Sequence, residues 1–212
     1  KIIFSKFFKY EKWWINKIVK SRKIDKKLIT VFTRMPDNQT LSLKSYEYYI
    51  STILKVLKNF NNIKVIFKIS PILNEKMLIK EKLQNFKNIK WSIDTNHPMI
   101  TASKSNFCIT ILTSACLDCL AVNKKVIEFF DYSREIKKAN AIFFKKKWIS
   151  IYAKKKLVVN VENESKLKLI INDIFLNRNQ SSFNLGKKQF YNLTKSGCDA
   201  NTVSKKIIKL IK

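Results

Sequence analysis

Glycine is almost missing from this chain: only Gly186 and Gly197 occur in 212 residues. A G-x-G-x-x-G turn, which lets backbone close on the pyrophosphate of a dinucleotide, is therefore missing, which argues against a classical dehydrogenase. Histidine occurs once, at His97, so HExxH is excluded, and no Ser-His-Asp order is present around it. No P-loop is present either. No apolar run approaches the roughly 20 residues that a membrane-spanning helix needs. The opening KIIFSKFFKYEKWWINKIVK is interrupted by lysines, unlike the apolar centre of a secretory signal.

Acidic residues are scarce as well. Fifteen Asp and Glu face 43 Lys and Arg, giving a formal net charge of +28. Such a charge draws the chain towards anionic partners: phosphorylated substrates, acidic lipid or nucleic acid. Arginine supplies only four of the cations, at Arg22, Arg34, Arg134 and Arg178, against 39 lysines. Nucleic-acid readers favour arginine, whose planar fork matches phosphates and base edges, so nucleic acid is the disfavoured partner. The joint excess of Lys, Asn and Ile is what an AT-rich coding sequence produces, so part of the charge reflects composition rather than a site.

The cysteines are Cys108, Cys116, Cys119 and Cys198. Cys116 and Cys119 form a C-x-x-C, with no second such pair and no neighbouring His, so a structural zinc site is not supported. Small and apolar neighbours place the pair inside a helix, as reduced packing thiols of a cytoplasmic compartment.

Against these absences stands an apolar content of 46%, enough for a sizeable core. The run LITVFT at 28–33 reads as a buried strand, RMPDNQT as a loop, and 43–59 as a helix capped by Ser42. The cycle repeats. Strands are expected at 63–69, 89–93, 107–112, 126–130 and 157–161, with helices over 74–86, from Pro98, and over 114–122. An irregular Lys-rich stretch precedes the last strand, and helices over 164–176, 181–193 and 200–211 close the chain. Alternation of this kind predicts an α/β fold with a Rossmann-like, doubly wound parallel sheet. Residues 28–212 form that domain. Residues 1–27 lie outside the alternation and read as a basic amphipathic connecting helix, or as one lying on a membrane surface. Because the chain starts at Lys1 rather than Met, it is expected to be part of a longer protein.

In such a sheet, ligands collect outside the carboxyl ends of the strands. That rule selects Thr33, Arg34 and Asp37 after the first strand, and Lys68 and Ser70 after the second. It adds Asp94 and His97 after the third, Thr113 and Ser114 after the fourth, and Glu128 and Asp131 at the fifth. Thr113 and Ser114 offer two hydroxyls at a helix start, suited either to a diphosphate or merely to capping the helix. His97 is the one candidate general base, and Asp94 lies close to it in sequence.

The order VIFKISP, HPMITASKSNFCIT, TSACLDCLAVNKKVIEFFD, closed by QFYNLTKSGCDANTVSKKIIKLI, resembles the carboxyl-terminal half of GT-B glycosyltransferases. It is most similar to bacterial enzymes of capsule, lipopolysaccharide or teichoic-type surface-polysaccharide assembly, with related glycerophosphotransferases and nucleotide-sugar 2-epimerases. The resemblance implies a donor-binding domain for a nucleotide-sugar or CDP-linked donor. Thr113 and Ser114 would hold the diphosphate, Lys68, Ser70, Arg34 and Asp131 would surround the donor, and Glu128 would meet ribose or sugar. Ser70 stands where a histidine is usual, and Asn123-Lys124-Lys125 replaces glycine-lysine-proline. No cofactor is obligatory. The acceptor, lipid- or polysaccharide-linked, would be bound by a separate amino-terminal domain, and the basic surface would suit an anionic membrane face. The alternatives are a 2-epimerase-like enzyme and a non-enzymatic domain, either nucleic-acid-binding or a degenerate scaffold.

Overall fold

The computed structural model describes residues 7–20, 23–37, 40–69, 73–84, 86, 89–135, 141–195 and 199–211. Six strands make one sheet: β1 (Leu28–Phe32), β2 (Lys64–Lys68), β3 (Lys90–Asp94), β4 (Phe107–Thr110), β5 (Lys125–Phe129) and β8 (Val159–Val161). Their order is β3-β2-β1-β4-β5-β8 and all pairings are parallel. The doubly wound α/β expectation is met.

Burial of both faces explains why the central strands are continuous apolar runs rather than alternating ones. Ile29 and Val31 enter one core, with Val65, Phe67, Ile109, Ile127 and Phe129. Helix α2 (Leu43–Leu57) supplies this side with Tyr46, Tyr49, Ile50, Ile53, Leu54 and Leu57, recurring at helical spacing. The Ser42 hydroxyl accepts from the Ser45 amide at 3.2 Å and fixes the start of that helix. Helices α3 (Leu73–Leu83) and α7 (Glu164–Phe175) pack against α2.

The opposite core is smaller. Phe32, Cys108, Cys116, Cys119, Val126 and Phe190 meet there, beneath α4 (Pro98–Lys104), α5 (Ala115–Ala121) and α8 (Ser181–Lys195). The C-x-x-C pair thus lies inside the molecule, and burial pushes both thiols well above their ordinary range. Cys198 lies outside the described residues. A last helix, α9 (Ala200–Ile211), follows.

Glycine scarcity did not remove left-handed backbone. Asn62, Asn123, Asn177 and Asn179 all have positive φ, and asparagine is the residue that tolerates it best after glycine. Asn123 turns the chain between α5 and β5, at the place where the resemblance expects a glycine.

Two expectations need correction. The helix over 1–27 is, among the described residues, a 3-10 turn Phe8–Tyr10 and a separate α1 (Lys12–Ile18), with Glu11 extended between them. Lys9 pairs with Asp118 at 2.7 Å and the Tyr10 ring packs 5.2 Å from Phe190, which holds the segment down on α5 and α8. The described part of the Lys-rich stretch before the last strand, from residue 141, is regular as well. It contains a hairpin, β6 (Ala141–Phe144) and β7 (Lys147–Ser150), followed by the single turn α6 (Ile151–Lys154).

Candidate donor site

Strand order reverses between β1 and β4: the chain winds outward to β2 and β3 on one side, and to β5 and β8 on the other. The loops after these strands therefore diverge and leave a crevice, the usual ligand position of open α/β sheets. Each loop contributes side chains in a different state.

Beyond β4, Ile111 continues the ladder by donating to the Phe32 carbonyl at 3.0 Å. Leu112 then takes a φ of 42° while remaining buried, a conformation that costs a non-glycine residue about 1–2 kcal/mol. The kink separates the next two hydroxyls by function. Thr113 Oγ1 accepts from the Ala115 amide at 3.3 Å and caps α5. Ser114 is exposed, and its hydroxyl makes no capping bond. Helix α5 has only seven residues, so its dipole adds little, and any anion affinity here belongs to the loop's own polar groups and nearby cations.

Beyond β1, the Thr33 amide donates to the Lys68 carbonyl at 3.2 Å and its hydroxyl to Glu75 at 2.5 Å. Glu75 is fully buried and was not foreseen in the sequence, because its helix starts beyond a proline-broken turn. The Arg34 guanidinium reaches Asp37 at 3.2 Å and Thr40 at 3.0 Å, so half of its fork is committed to its own loop. Lys68 is buried and donates to the Ile69 carbonyl at 2.6 Å. Burial lowers its pKa, while the charges of Asp94 and Glu75 oppose that shift. Ser70 lies outside the described residues.

Asp94 accepts from the Asn96 amide at 2.7 Å and from the Thr101 hydroxyl at 2.6 Å, which locks the β3–α4 turn. His97 is the N-cap of α4: its Nδ1 accepts from the Met99 amide at 3.2 Å. That bond requires an unprotonated Nδ1, so the neutral ring carries its proton on Nε2. Burial lowers its pKa, and Asp118, Lys9 and Lys68 are the charges that act on it. The carboxylate whose charge opposes that shift is Asp118 rather than the sequence neighbour Asp94. Asp118 carries the one charge of the helix ACLDCLA, and that isolation was a signal in the sequence.

Glu128 lies near the end of β5 with none of its surface exposed. It accepts from the Ser150 hydroxyl at 2.5 Å through Oε2, and its Oε1 has no hydrogen-bond partner among the described residues. Burial raises its pKa to about 7. Glu128, which the resemblance places against ribose or sugar, is thus enclosed in this structure and meets Ser150. Asp131 is committed to its own turn: Oδ1 accepts from the Ser133 amide at 2.9 Å, and Arg134 lies 3.7 Å from Oδ2. Beyond the strand ends Ser114 is an exposed hydroxyl that makes no capping bond, with Thr113, His97 and Arg34 on the surrounding loops and Lys68 at the end of β2.

Comparison with protein families and with curated proteins returns no match. Solved structures do resemble the chain. The wall teichoic acid polymerase TagF matches with a TM-score of 0.53 and 17% identity, over 93% of this chain and 46% of that one. UDP-GlcNAc 2-epimerase from Neisseria meningitidis, solved bound to UDP-GlcNAc, gives 0.56 and 10% identity, over 93% and 48%. TarM gives 0.51 and 14%, over 89% and 35%. The chain has a GT-B-type fold. It spans about half the length, or less, of these GT-B-type structures. At such identities the likeness concerns the fold alone.

Proposed function

We propose that this chain is the donor-binding half of a transferase that moves a glycosyl or glycerophosphoryl group from a nucleotide-activated donor to a hydroxyl acceptor in surface-polysaccharide assembly. One observation carries the reading. At the point where strand order reverses, a strained turn at Leu112 presents a Ser114 hydroxyl that caps nothing, beside loops that carry Lys68 and Arg34. Ser114 would bind the donor diphosphate, and Thr113 would hold the turn. Lys68 and Arg34 would offset the charge of the departing nucleotide, a task that positioned cations perform without a metal. The acceptor and the proton-accepting base would come from a second half, with the neutral His97 as the one such group on this side.

Ser114→Ala provides the test, because a hydroxyl without an internal partner can be removed without loss of fold. Thermal unfolding would be followed with UDP, GDP, CMP, CDP and a single-stranded oligonucleotide. One nucleotide at a hundred times its dissociation constant adds about 2.7 kcal/mol to stability. That gain should shrink in Ser114→Ala, while the melting point without ligand stays unchanged. Oligonucleotide binding with no response to any mononucleotide would overturn the reading.

A further inference from the structure

The hairpin β6–β7 stands outside the main sheet. Its two turn residues, Lys145 and Lys146, have φ of 48° and 65°, the left-handed pair that a two-residue type I′ turn requires. An isolated two-stranded ribbon is marginal in water. This one is fastened at its base, where Ser150 bonds Glu128 and Ile149 is buried, and again beside the turn, where Lys147 pairs with Glu162 at 2.7 Å.

Above the base the chemistry changes. Phe143 is 61% exposed, Trp148 40% and Phe144 39%, and Ile151, which opens α6 just past the base, is 41% exposed. Phe143 and Trp148 are opposite in register, with ring centroids 5.4 Å apart. Phe144 follows Phe143 in the strand and so points to the other face. The tip is therefore apolar on both sides, whereas docking on one protein surface would cover only one. Cations surround it: the ammonium groups of Lys145 and Lys154 lie 5.6 and 5.8 Å from the Phe144 ring. Among the described residues, Lys145, Lys146 and Lys154 make no ion pair.

We propose that the β6–β7 hairpin docks this chain on a bilayer containing anionic phospholipid, with Phe143, Phe144, Trp148 and Ile151 entering the headgroup region. The lysine stems snorkel, so that the ammonium groups lie over lipid phosphates while the rings sit at the apolar boundary. Each such lysine is drawn to the negative potential of an anionic surface. A base-stacking platform for nucleic acid fits less well. The Phe143 and Trp148 rings are inclined at 59°, leaving no shared flat face, and Ile151 offers no stacking surface at all. Since the base of the hairpin is tied to the carboxyl end of β5, docking would bring the edge of the crevice to the membrane. The inference needs no assumption about the donor.

The test is co-sedimentation with phosphatidylcholine vesicles, with and without phosphatidylglycerol, and with no nucleotide added. Wild type should bind the phosphatidylglycerol vesicles and leave phosphatidylcholine alone largely unbound. Phe143→Ser with Trp148→Ser should lower the partition coefficient by more than about tenfold, since two buried rings are lost. Should that pair disturb folding, Lys145→Glu with Lys146→Glu, changed only at an exposed turn, should show a similar drop. Trp13→Ser with Trp14→Ser, on α1, should bind as wild type does. The proposal is overturned if wild type ignores phosphatidylglycerol or if both hairpin variants bind like wild type. Loss of binding in the α1 variant alone would also overturn it. Oligonucleotide binding that depends on the hairpin, with no vesicle binding, would replace the membrane by nucleic acid.

Discussion

Ser150 and Glu128 join two parts of the chain that have no sheet pairing in common: a hydroxyl at the end of the hairpin donates at 2.5 Å to a carboxyl buried in β5. The same hydroxyl accepts from the Ala153 amide at 3.0 Å and so starts α6. One oxygen therefore orients the hairpin, begins a helical turn and satisfies half of a buried acid. Ser150→Ala would take the 2.5 Å donor from the buried carboxyl and leave an amide without a cap. A loss of about 2–3 kcal/mol is expected in urea unfolding.

Glu128 should also make stability fall as the pH rises. Its carboxyl releases a proton near 4.5 when unfolded and near 7 when folded. Between those values the folded state binds the extra proton, so the contribution is complete below 4.5 and gone above about 7. Up to about 3 kcal/mol is at stake across that window. Glu128→Gln keeps the shape and cannot ionise. Unfolding free energies measured at pH 5.5 and pH 8 should differ less in the variant than in wild type, and equal differences would refute the assignment.

His97 works in the opposite direction. Its folded pKa lies below the ordinary 6.5, so the unfolded state binds the proton first. Its stabilising cap on Met99 is present above 6.5 and is lost as the pH falls through the lower folded value. Protonation would add a hydrogen to the Nδ1 that now accepts. His97→Asn preserves a capping acceptor and should abolish this acid-side loss, at a cost under about 1 kcal/mol at pH 7.5. The ring's proton signals, followed by NMR, should titrate below 6.5.

The strands were readable because burial on both faces writes itself as uninterrupted Ile, Val and Phe. The loop candidates followed from strand direction alone, and Ser114 stands where that reasoning put it. What could not be read was which polar groups were already engaged. Asp94 and Asp131 look free in sequence but bind amides two residues on, and Glu75 reaches Thr33 across 42 positions. The hairpin was missed for a different reason: FFKKKW shows neither clean alternation nor an Asn-Gly turn, since lysines occupy the left-handed positions. Glycine scarcity carried a narrower message. It signalled no cradle for a dinucleotide, yet asparagine, lysine and Leu112 still supply the sharp turns.

At Gly186, space explains the glycine. A β-carbon on Gly186 would lie 2.5 Å from the Leu157 carbonyl oxygen, because α8 crosses directly over the chain before β8. Alanine would gain up to about 1 kcal/mol of helix propensity there. Displacing backbone costs more, typically 1–3 kcal/mol, so Gly186→Ala should lower the melting temperature. A rise would show that α8 can lift away freely.

The hairpin turn separates stability from surface function. Lys145 and Lys146 occupy backbone that asparagine and glycine adopt with less strain, at roughly 1 kcal/mol per residue. Lys145→Asn with Lys146→Gly should therefore raise the melting temperature by a few degrees. The same pair removes two charges from the tip, so partition onto phosphatidylglycerol vesicles should weaken by about tenfold or more. A turn kept only for folding would gain in the first measurement and stay unchanged in the second. Gain in one with loss in the other is the outcome expected of a turn whose lysines face lipid.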